Sequence, residues 1–263
     1  MTIVRRDRTP IAKRARLLAV PALAAMLVAC SYNSDLGRQQ VLLVDPAALS
    51  QQGSQAWAQM KQTERVSNDA AANARVRRVG GQIVQAAGLG GQSWEYAVFQ
   101  DEAVNAFVLP GGKVGVTTGM MKFVANDDEL AAVLGHEVAH VIANHAAERY
   151  SQTALAQVGA GLVGAATQNA EGGLTQALGR YAGPALQVAV LMPYSRQHEL
   201  EADRLGLDLM VRAGFSARRG VDLWRRMAAR AGGASGPAIL STHPSDAARV
   251  QQLDAYIAAR GYS

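Results

Sequence analysis

Apolar and polar positions divide the chain into segments of different period. Residues 17–29 (LLAVPALAAMLVA) form one unbroken apolar run. Between 47 and 88, Trp57, Met60, Val66, Val76, Val79, Ile83 and Val84 are spaced among Ala, Gln and Arg. That spacing predicts amphipathic helices, which Gly88 to Gly91 end. The period then shortens. WEYAVFQ (94–100), VNAFVL (104–109) and KVGVTTG (113–119) are β-prone runs divided by acidic and Pro-Gly-Gly turns, and they predict a small antiparallel sheet. Asn126-Asp127-Asp128-Glu129 opens the next helix, with Asn126 as cap, Glu129 at the capping-box position and acids at the positive end of the dipole. Apolar positions continue to Tyr150. Residues 151–192 are an Ala/Gly-rich insert whose single acid is Glu171, read as a loose helical hairpin or a lid. Helices follow at 196–213, 217–230 and 244–260, separated by Gly214 and the loop GGASGP at 232–237. The fold class is α+β, mostly α.

The N-terminal end follows other rules. Six basic residues from Arg5 to Arg16 precede thirteen apolar ones, too few to span a bilayer comfortably, so residues 1–29 read as a signal peptide. Leu27-Val28-Ala29-Cys30 resembles the bacterial lipobox. The resemblance implies cleavage before Cys30, its lipidation, and a membrane contact made through that lipid. Ser31 rather than Asp after the cysteine implies the periplasmic face of the outer membrane. Residues 30–46 are then a polar tether, and 47–263 the folded domain. Cys30 is the only cysteine, so the domain is held by its core or by a metal, without disulfides. The signal holds six of the 26 Lys and Arg and one of the 21 acids, leaving twenty of each in residues 30–263. A nucleic-acid partner loses its electrostatic basis.

The densest chemistry is GHEVAHVIANH at 135–145. On a helix His136 and His140 lie roughly 40° apart, so both imidazoles reach one ion. Glu137 is turned by about 100°, beside the ion, where it can take a proton from an attacking water. Zinc would supply the lowered water pKa and the polarised carbonyl. Ala143-Asn144 continue the helix, so His145 falls about 180° from His136 and is read as a packing or capping histidine.

A catalytic zinc needs a third protein ligand. HELEADRLGLDLM (198–210) places Glu199 and Asp203 on one helical face. Glu199 completes a His₂Glu set, and Asp203 can fix a ligand imidazole's tautomer. Glu201, about 200° from Glu199, faces elsewhere, and His198, about 100° away, is read as surface. HEVAH followed by ELEAD, with NAFVLPGGKVGVTTGM (105–120) and THPSDAARV (242–250), resembles the Ste-type/HtpX/OMA superfamily of gluzincin metallopeptidases. The periplasmic, LoiP-like lipoprotein branch is the most similar.

That resemblance implies a zincin-like domain with its small sheet beside the HExxH helix. It implies one Zn²⁺ per chain on His136, His140 and Glu199, with Glu137 as base. It also implies that His243 stands near the zinc, either donating to the oxyanion or occupying the open position. A loop histidine capping the last helix is the plainer alternative. Arg249 is expected to anchor its segment. Asn105, Gly112 and Val114 are expected on a strand edge that binds substrate backbone, while Met120, Met121 and Trp224 are expected in the core. Unfolded or misassembled envelope proteins are the implied substrates. The rivals are an envelope chaperone that seldom cuts, and a structural zinc with His243 as permanent fourth ligand. The sequence leaves oligomeric state open.

Overall fold

A computed structural model describes residues 30–167, 193–230, 236–244 and 247–262. The expected signal peptide and residues 168–192 of the Ala/Gly-rich insert lie outside these. Asp45 and Asp69 cap the first two helices, α1 (Pro46–Thr63) and α2 (Ala70–Ala86), by accepting from Ala47 and Ala72 N–H. Three short strands follow: β3 (Glu95–Phe99), β4 (Ala106–Leu109) and β5 (Lys113–Thr117). Their order is β3-β5-β4, with β5 parallel to β3 and antiparallel to β4. The expected antiparallel sheet is therefore mixed. Residues 100–105 carry the chain past the centre, and the Pro-Gly-Gly turn, with Gly111 and Gly112 at φ +86° and +72°, folds β5 back between its neighbours. All five residues of β5 are buried, as a central strand requires.

After a short helix α3 (Thr118–Phe123) comes α4 (Asp127–Ile142). Asn126 Oδ1 accepts from Glu129 N–H at 3.0 Å, while Glu129 Oε2 accepts from Ala125 N–H at 2.7 Å and pairs with Arg226. Every residue from Glu129 to His140 is buried, so α4 is the central helix. It packs against α2, α6 (Arg196–Arg212) and α7 (Ala217–Arg230), with α8 (Ala247–Arg260) closing the core. Leu130, Leu134, Leu209, Trp224 and Leu253 fill the space between. Among the described residues no helix is long and apolar enough to cross a membrane.

Two features differ from expectation. The helix does not run on to Tyr150. Asn144 adopts a left-handed conformation (φ 52°), so α4 stops and α5 (His145–Thr167) starts in a new direction. And residues 30–46, expected as an unpatterned tether, contain an antiparallel hairpin of β1 (Cys30–Asn33) and β2 (Arg38–Val41). Asn33 Nδ2 donates to Ile142 O and Gln40 Nε2 to Ala143 O, so the hairpin satisfies carbonyls freed where α4 ends. The period-2 pattern was invisible because the hairpin's buried face is amide and guanidinium, not hydrocarbon.

Candidate metal centre

The centre follows from how closely α4 and α6 approach. A Cβ on Gly135 would lie 3.0 Å from Gly206 O, and one on Gly206 would lie 2.9 Å from His136 N. Backbone therefore touches backbone. Asp203 and Glu199 precede Gly206 by three and seven residues, on the same helical face, which brings both against His136.

His136 Nε2 and His140 Nε2 are 3.1 Å apart, and each lies 3.5 Å from a Glu199 oxygen. Ligands about 2.05 Å from a tetrahedral ion stand roughly 3.3 Å from one another. The three fit that spacing. Asp203 Oδ1 is 3.0 Å from His136 Nδ1 and His145 Nδ1 is 2.9 Å from His140 Nδ1, so both Nε2 lone pairs are turned toward one point. Two lone pairs at that distance repel unless a proton or cation lies between them. Glu199 Oε2 makes an ion pair with Arg249 Nη1 at 2.7 Å and lies 3.5 Å from His136 Nε2. Two imidazoles and a buried carboxylate converging on one point are a donor set for zinc.

Electrostatics agree. Burial opposes the charge on Glu199, yet the neighbouring His136 and three ring nitrogens hold it well below the usual carboxylate range. Burial likewise pulls His136 down, but Glu199 and Asp203 outweigh it and lift it to about 9. For His140 burial dominates and the imidazole stays neutral, well below its usual value.

Glu137 is 4% exposed, and burial raises its carboxyl above the ordinary range. The Val108 backbone N–H donates to it, while Oε1 has no hydrogen-bond partner. His243 is buried in the same cluster: its Nδ1 lies 3.0 Å from Glu199 Oε1 and 3.2 Å from His136 Nε2, and its Nε2 lies 3.4 Å from Glu137 Oε1. It thus stands where a fourth ligand would. A 3₁₀ turn (Ala238–Ser241) holds it there, with His243 N–H donating to Ile239 O and Ile239 N–H to Val104 O. His136, His140, Glu199 and His243 each offer a ligand atom within 4.8 Å of the others.

Arg249 grips Asp203 through Nε (2.6 Å) and Nη2 (2.7 Å), contacts Pro244 O, and lies over the Trp224 ring. Trp224, expected as core, is core and also packs its ring edge-on to His136. Met120 is fully buried and Met121 packs against the core.

The expected strand edge needs correction. Val114 sits in the central strand, 1% exposed, with both sides paired. The Gly112 carbonyl accepts from Glu95 N–H, and a Cβ there would press Trp94 at 2.9 Å. The Asn105 carbonyl accepts from Thr117 N–H, and Asn105 N–H donates to Thr117 Oγ1. The Asn105 and Gly112 carbonyls and both sides of Val114 are therefore already engaged within the sheet. The free edge is β4, and its Val108 N–H points at Glu137.

Three residues of the cluster differ from the sequence expectation or carry no sequence signal. Tyr194 tilts over the His140 ring with centroids 4.0 Å apart, with the Arg149 guanidinium 3.8 Å over its ring. Burial pushes its hydroxyl up to about 12, so it stays protonated. Its place just before the Ser195 cap of α6 carried no signal. His145 is fully buried and bonded to His140, because the break at Asn144 turns it back. Burial lowers it to about 4. His198, expected on the surface, is 2% exposed and stacks on His145. Its rotation away from Glu199 points it at the start of α5, not at solvent.

The model of peptidase family M48 matches residues 70–257. The chain is 39% identical over 184 residues to the mitochondrial metalloendopeptidase OMA1 of Schizosaccharomyces pombe, covering 69% of this chain and 52% of that protein. It is 29% identical to a putative beta-barrel assembly-enhancing protease of Vibrio cholerae, covering 70% and 39%. Against metalloprotease YcaL of Escherichia coli it is 27% identical over 90% of this chain and 94% of that protein. The chain spans about half the length of the first of these relatives. With a matched region that contains the whole ligand cluster, the chain belongs to peptidase family M48.

Proposed function

We propose that this protein is a zinc metalloendopeptidase that cleaves unfolded or misassembled proteins of the bacterial envelope. The observation that carries the reading is the convergence of His136, His140 and Glu199 on one point, with the unpartnered Glu137 oxygen beside it. Zinc, when bound, supplies the Lewis acid that makes water acidic and the scissile carbonyl electrophilic. Glu137 takes the water's proton and passes it to the leaving amine. Its raised carboxyl suits both transfers, because base and conjugate acid are closer in energy. Asp203 holds His136 through Nδ1, and Arg249 holds Asp203.

A peptide added as a strand along β4 would bind through its backbone and tolerate many sequences. Leu49, Val108, Pro110, Ala147 and Tyr194 line a pocket beside His140 that fits an apolar side chain. Such side chains are exposed mainly in unfolded clients. Cleavage of unfolded casein, abolished by a chelator and restored by zinc, tests the reading. Client binding without cleavage under any metal condition would give the chaperone alternative instead.

Of the roles open to His243, the geometry favours a plug. With Nδ1 in the ligand cluster, it would compete with a substrate carbonyl for the metal. His243→Ala is expected to fold, keep zinc on the other three ligands and cleave casein faster. A large fall in kcat would make it an oxyanion donor, and unfolding would make the zinc structural.

Lipid anchoring at Cys30, on the periplasmic face of the outer membrane, completes the proposal. Cys30 is exposed at the start of β1. In a bacterial host, Cys30→Ala should move the protein from the membrane fraction to the soluble periplasm; continued sedimentation with membranes would refute the anchor.

A further inference from the structure

We propose that the N-terminal hairpin is part of the metal site's support, with Arg38 acting as a positioning residue for His140. The inference rests on His140 being a ligand, as proposed above. It follows from counting protons along one chain of hydrogen bonds.

His140 Nε2 faces His136 Nε2 and Glu199, so that nitrogen must present its lone pair to the ion and the proton resides on Nδ1. His140 Nδ1 meets His145 Nδ1 at 2.9 Å. His145 must therefore accept there and carry its own proton on Nε2, which lies 3.0 Å from Glu201 Oε2. Each tautomer is fixed by the next partner, and the series ends on a carboxylate. That carboxylate is held by Arg38, whose Nε and Nη2 reach the two Glu201 oxygens at 2.7 Å each. The opposite edge of the same guanidinium takes Glu148 at 2.7 and 2.8 Å. Gln40, from the same strand, adds a bond to Glu148 at 2.6 Å.

The two ligand imidazoles are thus backed in parallel ways. His136 rests on Asp203, locked by Arg249. His140 rests on His145 and Glu201, locked by Arg38. The first arginine comes from the end of the chain and the second from the hairpin that begins at Cys30. A residue of that hairpin is therefore linked, through Glu201 and His145, to the imidazole of a proposed metal ligand.

His145, Glu148 and His198 also lie close enough together to suggest a second metal site. Ring orientation argues against one. His145 and His198 stack with centroids 4.4 Å apart and 23° between planes, so an ion in the plane of one ring lies well outside that of the other. Arg38 already supplies the positive charge that Glu148 faces.

The test uses the full chain and measures zinc affinity by competition with a chelating indicator. Losing an outer partner of a metal-ligating histidine weakens binding about 10- to 100-fold. Arg38→Ala and His145→Phe are each expected to show that loss, with Arg38→Lys recovering part of it. The double variant should bind no more weakly than His145→Phe alone, because Arg38 acts through His145. The visible spectrum of the cobalt-substituted protein should shift in the same variants. If Arg38→Ala does not fold, Glu201→Ala, which leaves the hairpin docked through Glu148, answers the same question. Full zinc affinity and an unshifted cobalt spectrum in a folded variant would overturn the inference. So would additive losses in the double variant, which would make Arg38 a scaffold residue only. A wild-type protein that binds no zinc overturns the reading beneath it as well, and so separates the two failures.

Discussion

The Glu137→Gln protein is expected to bind zinc as tightly as wild type and to lose peptidase activity by about 10²- to 10⁴-fold, the usual contribution of a placed acid–base group. The amide has nearly the carboxylate's shape and can still accept from the Val108 N–H, so the β4 edge and the helix packing should survive. What it cannot do is take a proton. The effect should therefore fall on kcat, with KM for casein little changed. The structure makes the substitution gentle for a second reason: burial already raises the Glu137 carboxyl, and a neutral side chain there relieves a desolvated charge. A thermal midpoint equal to or above wild type is expected. Activity within tenfold of wild type would remove Glu137 from the chemistry.

Arg249→Ala should have the largest effect on stability. The guanidinium is 5% exposed, holds Asp203 by two bonds, approaches Glu199 at 2.7 Å and covers the Trp224 ring. Its removal leaves the buried Asp203 carboxylate without its guanidinium partner and takes one of the neighbouring cations from Glu199. Breaking a buried pair by removing one partner costs about 3–5 kcal/mol, and a domain of this size shifts by roughly 2–4 °C per kcal/mol. A drop of about 6–20 °C in the apo-protein's midpoint is expected. Arg225→Ala is the comparison. Its bonds to Asp222 and Asp254 are half-exposed, and such surface pairs contribute about 0–1 kcal/mol. Equal midpoints for the two variants would contradict the assigned role of Arg249.

The central part of the site was legible because it is written in helical spacing. His136 with His140, and Glu199 with Asp203, recur at four residues, and a helix converts that interval directly into a shared face. The ends of α6, α7 and α8 were legible for a similar reason, through caps and glycines adjacent in sequence. Pairing was less accessible. The strand runs at 94–119 were visible, but the order β3-β5-β4 depends on which edge each connection reaches, and no residue in a strand encodes its neighbour. Hence Val114, expected at an edge, lies in the centre. His145 shows the limit most clearly. Its expected angle from His136 holds only on a continuous helix, and one left-handed residue, Asn144, turns it back. Arg38 was out of reach altogether, since its partners lie 110 and 163 positions away and its own segment has no apolar pattern.

The proposed function depends on a single ion held by two helices. Zinc content of the purified, folded protein, wild type beside Glu199→Ala, tests this directly. The expected result is about one zinc per chain in wild type and little in the variant, at equal helical content by circular dichroism. A folded Glu199→Ala protein that keeps the full complement of zinc would contradict it.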